Sequence, residues 1–258
     1  MKTLSFVIPV YNEEKRIEKT IKALNKGFSF SGIKIEKIFF VDDGSTDRTV
    51  SLINKSKISL EKSLGVIVEI ISYPKNKGKG HAVKVGMLAS NSDYTLFFDV
   101  DMATPLSEFE KFLPFVKEGV PVIVGTRKNG ESTVQVHQPK YREFLGKGFT
   151  FLSNLILNTW VTDFTCGFKA FSRQAKNEVF SKATINRWGY DAEIIFLTRK
   201  LGFEIQEKAV LWFDDHRTKV NLFKDLPNTF LELIKIRLNH LSLDFSFPAL
   251  KKFSFRNC

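Results

Sequence analysis

The chain contains 258 residues, of which 43% are hydrophobic, and it carries a formal net charge of +11. This is enough apolar material for one large α/β domain, or for a domain with a small appendage. The charge favours phosphates, anionic lipid headgroups or nucleic acid as partners without choosing among them. Two cysteines, Cys166 and Cys258, are too few for a disulfide framework or a structural zinc site, and they indicate a reducing cytoplasm.

The first nine residues carry one charge and a short apolar run that Pro9 ends, without a small-residue cleavage site. They predict a first strand and no signal peptide. No stretch of the chain approaches the roughly 20 apolar residues that a membrane-spanning helix needs. We therefore expect any membrane contact to be peripheral or to involve a membrane-protein partner.

The first half of the chain alternates short β-type runs with helical patterns. Strands are predicted at residues 4–10, 35–41, 66–72, 94–98 and 120–124, and helices at 13–24, 47–53, 80–88 and 108–116. This alternation predicts an α/β fold with a mainly parallel central sheet and helices on both faces. Ligands of such sheets bind beyond the carboxyl ends of the strands, and the polar clusters of this sequence fall there.

The second half of the chain is less regular. It predicts a long apolar helix at 142–160, a turn-rich stretch at 163–171, a helix at 191–201 and a strand at 203–213. The tail from residue 222 mixes apolar and basic residues and is cut by prolines. We expect a catalytic domain over 1–221 and an amphipathic C-terminal extension over 222–258.

Asp99-Val100-Asp101 follows the fourth predicted strand. Alternate side chains of an extended chain share a face, so both carboxylates can face a cleft while Val100 points into the core. Hard oxygen ligands in small number suit Mg²⁺ or Mn²⁺, which complete their shells with water and substrate phosphates. An isolated Asp-x-Asp motif is usually a solvated turn, and the preceding strand favours a metal site here.

The loops after the second and third strands are suited to a nucleotide. Asp43 can accept hydrogen bonds from a base or ribose, Gly44 allows a tight turn, and Asp47 is placed to cap the next helix. Residues 75–80 supply cations and backbone N–H groups just before a helix, where an anion is stabilised. The chain has neither the Gly-Lys-Ser/Thr end of a P-loop nor a Gly-x-Gly-x-x-Gly after the first strand, which argues against ATPase and dinucleotide-binding functions.

In this order and spacing the motifs resemble those of family 2 glycosyltransferases of the GT-A fold, over the chain to about residue 241. The match is carried by residues 9–14 (PVYNEE), 41–47 (VDDGSTD), 76–80 (NKGKG), 99–101 (DVD) and 124–127 (VGTR). Residues 163–169 (DFTCGFK) and 187–193 (RWGYDAE) resemble the branch that makes polyprenyl-phosphate sugars, specifically the dolichyl-phosphate β-glucosyltransferases. Ala103-Thr104 points to this glucosyl branch, because mannosyl synthases usually carry Gln in place of Ala103.

The resemblance implies a donor site and an acceptor site. The donor site would contain Pro9, Tyr11, Glu13 and Asp43 at the uridine, Lys79 near the base or diphosphate, and Asp99 and Asp101 at the metal, with Asp101 the more direct ligand. At the acceptor phosphate, Arg127 and Arg142 would provide the planar guanidinium fork that suits this group. Arg217 and Lys219 match a mobile basic loop that closes over the phosphates; it usually reads Ser-Lys, whereas this chain has Thr218-Lys219.

The implied reaction is inverting transfer of glucose from UDP-glucose to a polyprenyl phosphate, dolichyl or undecaprenyl. A phosphate monoester with a second pKa of about 6 is largely ionised near neutral pH and needs no strong general base. A saccharide hydroxyl acceptor would need one, and Asp163 is then the candidate. With a lipid phosphate, Asp163 would orient the acceptor or an arginine. A dolichyl-phosphate mannose synthase using GDP-mannose is a further alternative.

Two segments are suited to a membrane surface. The helix at 142–160 is apolar, with Arg142 and Lys147 near one end and Trp160 as an anchor, although a buried core helix would have a similar pattern. The tail has an apolar face of Phe223, Phe230, Leu231, Ile234 and Leu238, with Lys224, Lys235 and Arg237 available to anionic lipid. We expect a peripheral protein on the cytoplasmic face of a membrane.

Two other classes of protein are disfavoured. The basic residues are interspersed with acids, and there is no aromatic-basic RNA motif or zinc finger, so we expect no nucleic-acid partner. A catalytically dead sugar-nucleotide scaffold is disfavoured because the acidic motifs and the arginines are intact.

Overall fold

The computed structural model describes residues 1–127, 140–213 and 222–241, with the helix backbone but not the side chains at 140–145, 222–227 and 229. The strands are β1 (Lys2–Val10), β2 (Ile33–Asp42), β3 (Ile67–Ser72), β4 (Tyr94–Phe98), β5 (Val122–Thr126), β6 (Phe168–Ser172) and β7 (Ile205–Ala209). The α-helices are α1 (Ile17–Asn25), α2 (Thr49–Leu64), α3 (Lys79–Ala89), α4 (Leu113–Glu118), α5 (Lys140–Leu157), α6 (Arg173–Lys182), α7 (Tyr190–Lys200) and α8 (Leu222–Asn239), and a 3-10 helix covers Leu106–Phe112.

The strands form one sheet in the order β3-β2-β1-β4-β6-β5-β7. All neighbouring pairs are parallel except the two that involve β6. The mainly parallel α/β fold predicted from the sequence is therefore confirmed. Because β1 to β4 run in the same direction, their carboxyl ends meet at one edge of the sheet, where the predicted polar loops begin.

Helices cover both faces of the sheet. In β1, Phe6 and Ile8 pack with α1, α2 and the 3-10 helix on one face, whereas Val7 packs with α3 and α7 on the other. Burial on both faces explains why the central strands are nearly continuous apolar runs. None of the helices in the described ranges is long and apolar enough to cross a bilayer.

Pro9 lies inside β1 instead of ending it. The last pair that β1 makes with β4 is Val7–Phe97, whereas β1 stays paired with β2 as far as Val10–Asp42. The missing N–H of Pro9 therefore falls beyond the β4 pairing, where no ladder bond is lost on that side.

Several predicted boundaries differ from the structure. The stretch predicted as turn-rich at 163–171 is wrong in its second part, because β6 occupies Phe168–Ser172 and pairs antiparallel with both β4 and β5. The buried Lys169 interrupts the apolar pattern of β6, so the sequence does not indicate a strand there. Helix α6 was not predicted, and α5 ends at Leu157, so Trp160 lies outside it with a backbone φ of 54°.

Candidate active site

Four loops meet at the carboxyl-end edge of β1 to β4. They are residues 11–16, 43–48, 73–78 and 99–103. They contain five of the residues that the sequence assigns to the donor, Tyr11, Glu13, Asp43, Asp99 and Asp101, whereas Pro9 lies in β1 and Lys79 begins α3. The loops bond to one another: the N–H of Asn12 donates to Ser45 Oγ over 2.9 Å, and the N–H of Thr46 donates to Asn12 Oδ1 over 2.8 Å. Gly44 allows the turn between them with a φ of 75°, as predicted.

Asp43 organises the loop that precedes α3. Its buried carboxylate accepts hydrogen bonds from the Tyr73 hydroxyl at 2.8 Å, Asn76 Nδ2 at 2.7 Å, and the N–H groups of Lys77 and Gly78 at 2.8 Å each. Burial and this hydrogen bond to Asp43 raise the pKa of the Tyr73 hydroxyl above its ordinary value, so Tyr73 remains a donor. Asp43 therefore holds the backbone that presents Lys79, and a contact with uridine would be an additional role.

Glu13 is buried in the loop before α1 and is paired with Arg16, the residue that precedes this helix. Its carboxylate accepts hydrogen bonds from Arg16 Nε at 2.5 Å and from Arg16 Nη2 at 2.6 Å. Arg16 Nη1 in turn lies 3.9 Å from Asp101 Oδ2. Glu13 thus orients an arginine towards the acidic motif, while the ring of Tyr11 is exposed at the rim of the cleft.

The acidic motif has the arrangement that strand alternation predicts. Val100 is buried in the core, whereas the side chains of Asp99 and Asp101 are 31% and 21% exposed. The N–H of Ala103 donates to Asp101 Oδ1 over 3.0 Å, and Met102 makes the turn with a φ of 52°. Burial and the neighbouring Asp99 carboxylate raise the pKa of Asp101, because both disfavour its charged form.

The two carboxylates fit a divalent ion that substrate phosphates help to hold. Asp99 Oδ1 is buried and makes no hydrogen bond of normal geometry among the described residues, although the ammonium of Lys79 lies 2.6 Å away. The described part of the chain contains no cluster of three or more His, Cys, Asp or Glu side chains suited to a metal. One or two carboxylates are the protein ligands expected for Mg²⁺ or Mn²⁺ when phosphates and water supply the remaining ligands.

A buried ion network lies behind Asp99. Lys169 on β6 is fully buried, and its ammonium donates to Asp191 Oδ1 over 2.5 Å and to the Cys166 carbonyl over 2.6 Å. Burial raises the pKa of Asp191. The charge of Lys169 acts in the opposite direction, but the pKa of Asp191 remains above its ordinary value. Burial lowers the pKa of Lys79, but Asp99 and Asp191 raise it more, so Lys79 stays charged beside both acids.

Gly167 brings the backbone against Asp99. A Cβ atom at this position would lie 2.5 Å from Asp99 Cγ, closer than real Cβ contacts come. Only glycine leaves room for the carboxylate in this position.

A bidentate ion pair joins Arg127, at the end of β5, to Asp163. Arg127 Nε lies 2.7 Å from Asp163 Oδ2, and Nη2 lies 2.9 Å from Oδ1. Asp163 is 0% exposed and also accepts the N–H of Thr165 over 3.1 Å, while the guanidinium carbon of Arg127 lies 5.2 Å from the Trp212 ring centre. Asp163 therefore holds an arginine and is poorly placed to accept a proton from an acceptor.

Three residues predicted to bind phosphates have no described side chain. Arg142 belongs to α5, whose backbone is described there without its side chains, and Arg217 and Lys219 lie outside the described residues. Their roles stay predictions.

Cys166 is buried, and burial raises the pKa of its thiol to about 12, which agrees with a packed side chain and not with a nucleophile.

A family model for glycosyl transferase family 2 matches residues 5–180. The chain belongs to this family. It is 30% identical to the dolichyl-phosphate beta-glucosyltransferase of Dictyostelium discoideum, over 92% of this chain and 75% of that protein. It is 32% identical to the protein of the same name from Mus musculus, over 93% of this chain and 76% of that one.

A solved structure supports the fold of this family 2 glycosyltransferase. Glucosyl-3-phosphoglycerate synthase from Mycobacterium tuberculosis, crystallised with Mn²⁺, UDP and glucosyl-3-phosphoglycerate, has a TM-score of 0.62 to the chain. The two are 19% identical, and the match covers 93% of this chain and 80% of that one. The chain is thus a glycosyltransferase of the predicted GT-A fold.

Sequence analysis had not assigned roles to Arg16, Lys169 or Asp191. Arg16 follows Glu13 by three residues, a spacing at which helical or turn side chains meet, so this pair was open to prediction. Lys169 and Asp191 lie 22 positions apart, and no sequence spacing indicates their contact.

Proposed function

We propose that this glycosyltransferase moves glucose from UDP-glucose to the phosphate of a polyprenol such as dolichyl phosphate, with inversion at the anomeric carbon. Relatives at 30–32% identity that cover most of the chain carry the name dolichyl-phosphate beta-glucosyltransferase. Ala103-Thr104 after the acidic motif is in accord with the glucosyl branch. The observation that carries the acceptor half is the ion pair between Arg127 and the fully buried Asp163.

This ion pair favours a phosphate acceptor over a saccharide hydroxyl. A hydroxyl nucleophile needs a base in hydrogen-bond reach, and both oxygens of Asp163 are engaged by Arg127 and Thr165. A phosphate with a second pKa of about 6 arrives already ionised and needs a cation to bind it. In this proposal Arg127 is that cation, and Arg142, Arg217 and Lys219 complete the acceptor and diphosphate contacts.

On the donor side, the proposed contacts with the uridine come from Pro9, Tyr11, Glu13 and Asp43. Lys79, at the first position of α3, is available to the diphosphate, and Asp99 and Asp101 are the residues that would hold Mg²⁺ or Mn²⁺. A bound divalent ion supplies charge stabilisation for the departing UDP.

We further propose that helix α8 rests on the membrane that contains the acceptor. Leu233 and Ile236 are buried against the protein, whereas other apolar side chains of α8 face outward. The exposed ones are Phe230 at 41%, Leu231 at 54%, Ile234 at 40% and Leu238 at 60%. At 3.6 residues per turn they occupy one arc of about 100° on the side away from the core.

Charged and apolar neighbours extend this surface. Lys235 and Arg237 are exposed and fall on either side of the apolar arc, where they can meet anionic headgroups. Phe151 and Leu155 of α5, which packs against α8, are 66% and 60% exposed. An exposed apolar arc flanked by basic side chains supports the proposal that α8 lies in a bilayer interface. The cytoplasmic side of the membrane and the boundary between 1–221 and 222–258 stay predictions.

A donor and acceptor panel tests the function. Purified protein would be incubated with UDP-glucose or GDP-mannose and with dolichyl phosphate, undecaprenyl phosphate or a free saccharide, and release of UDP or GDP would be followed. We expect UDP release that depends on the polyprenyl phosphate. Transfer only to the saccharide, or only from GDP-mannose, would refute the corresponding half of the proposal.

A further inference from the structure

Lys79 lies against Asp99, one of the two carboxylates proposed to hold the metal ion. Its ammonium lies 2.6 Å from Asp99 Oδ1. A Mg²⁺ ion binds a carboxylate oxygen at about 2.0–2.1 Å. An ammonium group and a divalent ion that share one carboxylate oxygen repel each other strongly at such short range. Metal binding at this oxygen therefore favours the departure of Lys79 from Asp99.

The surroundings allow the Lys79 side chain to move while its backbone stays in place. The preceding N–H groups of Lys77 and Gly78 are held by Asp43. The Lys79 side chain is 27% exposed, and its ammonium lies at the end of a flexible four-carbon stem.

Lys169 behaves differently from Lys79. It is fully buried and is bound to both Asp191 and the Cys166 carbonyl. Asp191 therefore keeps its counter-ion when Lys79 moves away. The network contains one cation that is fixed and one that is able to move.

We propose that Lys79 is a placeholder cation, which neutralises Asp99 in the nucleotide-free protein and transfers to the diphosphate when metal and nucleotide bind together. This rests on the proposed use of Asp99 for a metal-bound sugar nucleotide. Without a nucleotide, metal binding displaces Lys79 from Asp99 and no diphosphate is present to receive it. With a nucleotide, the diphosphate receives Lys79, so metal and nucleotide strengthen each other's binding.

Mn²⁺ binding measured by electron paramagnetic resonance, with and without saturating UDP, tests the proposal. The diphosphate also ligates the metal, so the decisive comparison is made without nucleotide. We expect Lys79→Met to bind Mn²⁺ at least about tenfold more tightly than wild type in the absence of UDP. We also expect UDP to strengthen Mn²⁺ binding less in this variant than in wild type.

Two further variants provide controls. Lys77→Met removes the same charge from the same loop, but Lys77 is exposed, with its ammonium 5.4 Å from the Tyr73 ring centre. Its nucleotide-free Mn²⁺ affinity is expected to stay within about twofold of wild type, since solvent screens distant exposed charges. Lys79→Arg retains the charge and is expected to keep the weak nucleotide-free affinity.

Equal or weaker nucleotide-free Mn²⁺ binding by Lys79→Met overturns the proposal. If that variant does not fold, the wild type still decides, because equal Mn²⁺ affinity with and without UDP also overturns it. These titrations contain no acceptor. Failure of glucose transfer to dolichyl phosphate would therefore leave their result intact, and the two claims can fail separately.

Discussion

Asp163 binds Arg127 through both carboxylate oxygens, with Oδ2 2.7 Å from Nε and Oδ1 2.9 Å from Nη2, and Asp163 is completely buried. Asp163→Asn leaves the guanidinium without its counter-charge, and we expect the free energy of unfolding to fall by about 3–5 kcal/mol. We also expect the KM for polyprenyl phosphate to rise more than kcat falls, because the variant misplaces Arg127. Urea unfolding and steady-state kinetics measure the two effects.

The kinetics of this variant separate a positioning role from a general-base role. A lost base would lower kcat by about 10²–10⁴-fold and remove the acidic limb of the pH–rate profile. Such a result, with the acceptor KM unchanged, would contradict the assignment. Arg127→Lys serves as the matched variant, since it keeps the charge while losing the planar fork.

Gly167→Ala tests the close approach of the backbone to Asp99. The added methyl group would come 2.5 Å from Asp99 Cγ, so the carboxylate must shift. We expect a loss of about 1–3 kcal/mol in stability and weaker binding of Mn²⁺ in the presence of UDP, measured by thermal unfolding and calorimetry. Gly148→Ala is the control, because a Cβ there meets nothing within 4 Å in the described structure. Equal Mn²⁺ binding by both variants would show that Gly167 does not position Asp99.

The outward face of α8 predicts membrane binding. Leu231→Asp and Leu238→Asp place a charge in the exposed apolar arc, and we expect each to lower partition onto phosphatidylserine-containing vesicles by on the order of tenfold. Ile58 on α2 is 77% exposed, so Ile58→Asp makes a similar change on a different helix and is expected to leave partition unchanged. Vesicle sedimentation provides the measurement. Equal losses from both helices would exclude α8 as a specific contact.

Lys176 on α6 predicts a pH dependence of stability. Burial lowers its pKa from 10.5 to about 8, with Arg173 contributing. Between these two values the unfolded chain binds more protons than the folded one, so the contribution of Lys176 to stability increases as the pH rises. We expect the free energy of unfolding of wild type minus that of Lys176→Met to increase from pH 8 to pH 10, in urea titrations at each pH.

A control on the same helix isolates this group. Lys182 on α6 is exposed, and Lys182→Met is expected to show a difference from wild type that is nearly constant over the same pH range. A difference for Lys176→Met that is flat, or that falls as the pH rises, would be inconsistent with the lowered pKa.

The sequence predicts well which loops meet at one edge of the sheet, because parallel strands bring their carboxyl-end loops together. Asp43, Lys79, Asp99 and Asp101 come together for this reason. The prediction fails at β6, where the buried Lys169 breaks the apolar pattern and an antiparallel pairing breaks the alternation. Contacts such as Lys169–Asp191 depend on which elements the fold makes adjacent, which local spacing does not contain.

The proposed reaction of this protein is the transfer of glucose from UDP-glucose to a polyprenyl phosphate. Its most direct measurement is mass spectrometry of the lipid product formed from UDP-glucose and dolichyl phosphate with Mn²⁺, with Asp101→Ala as the comparison. We predict a dolichyl phosphate heavier by one hexose, formed by the wild type and absent with Asp101→Ala. Unmodified dolichyl phosphate after incubation with the folded wild-type protein and fully retained UDP-glucose would contradict the account.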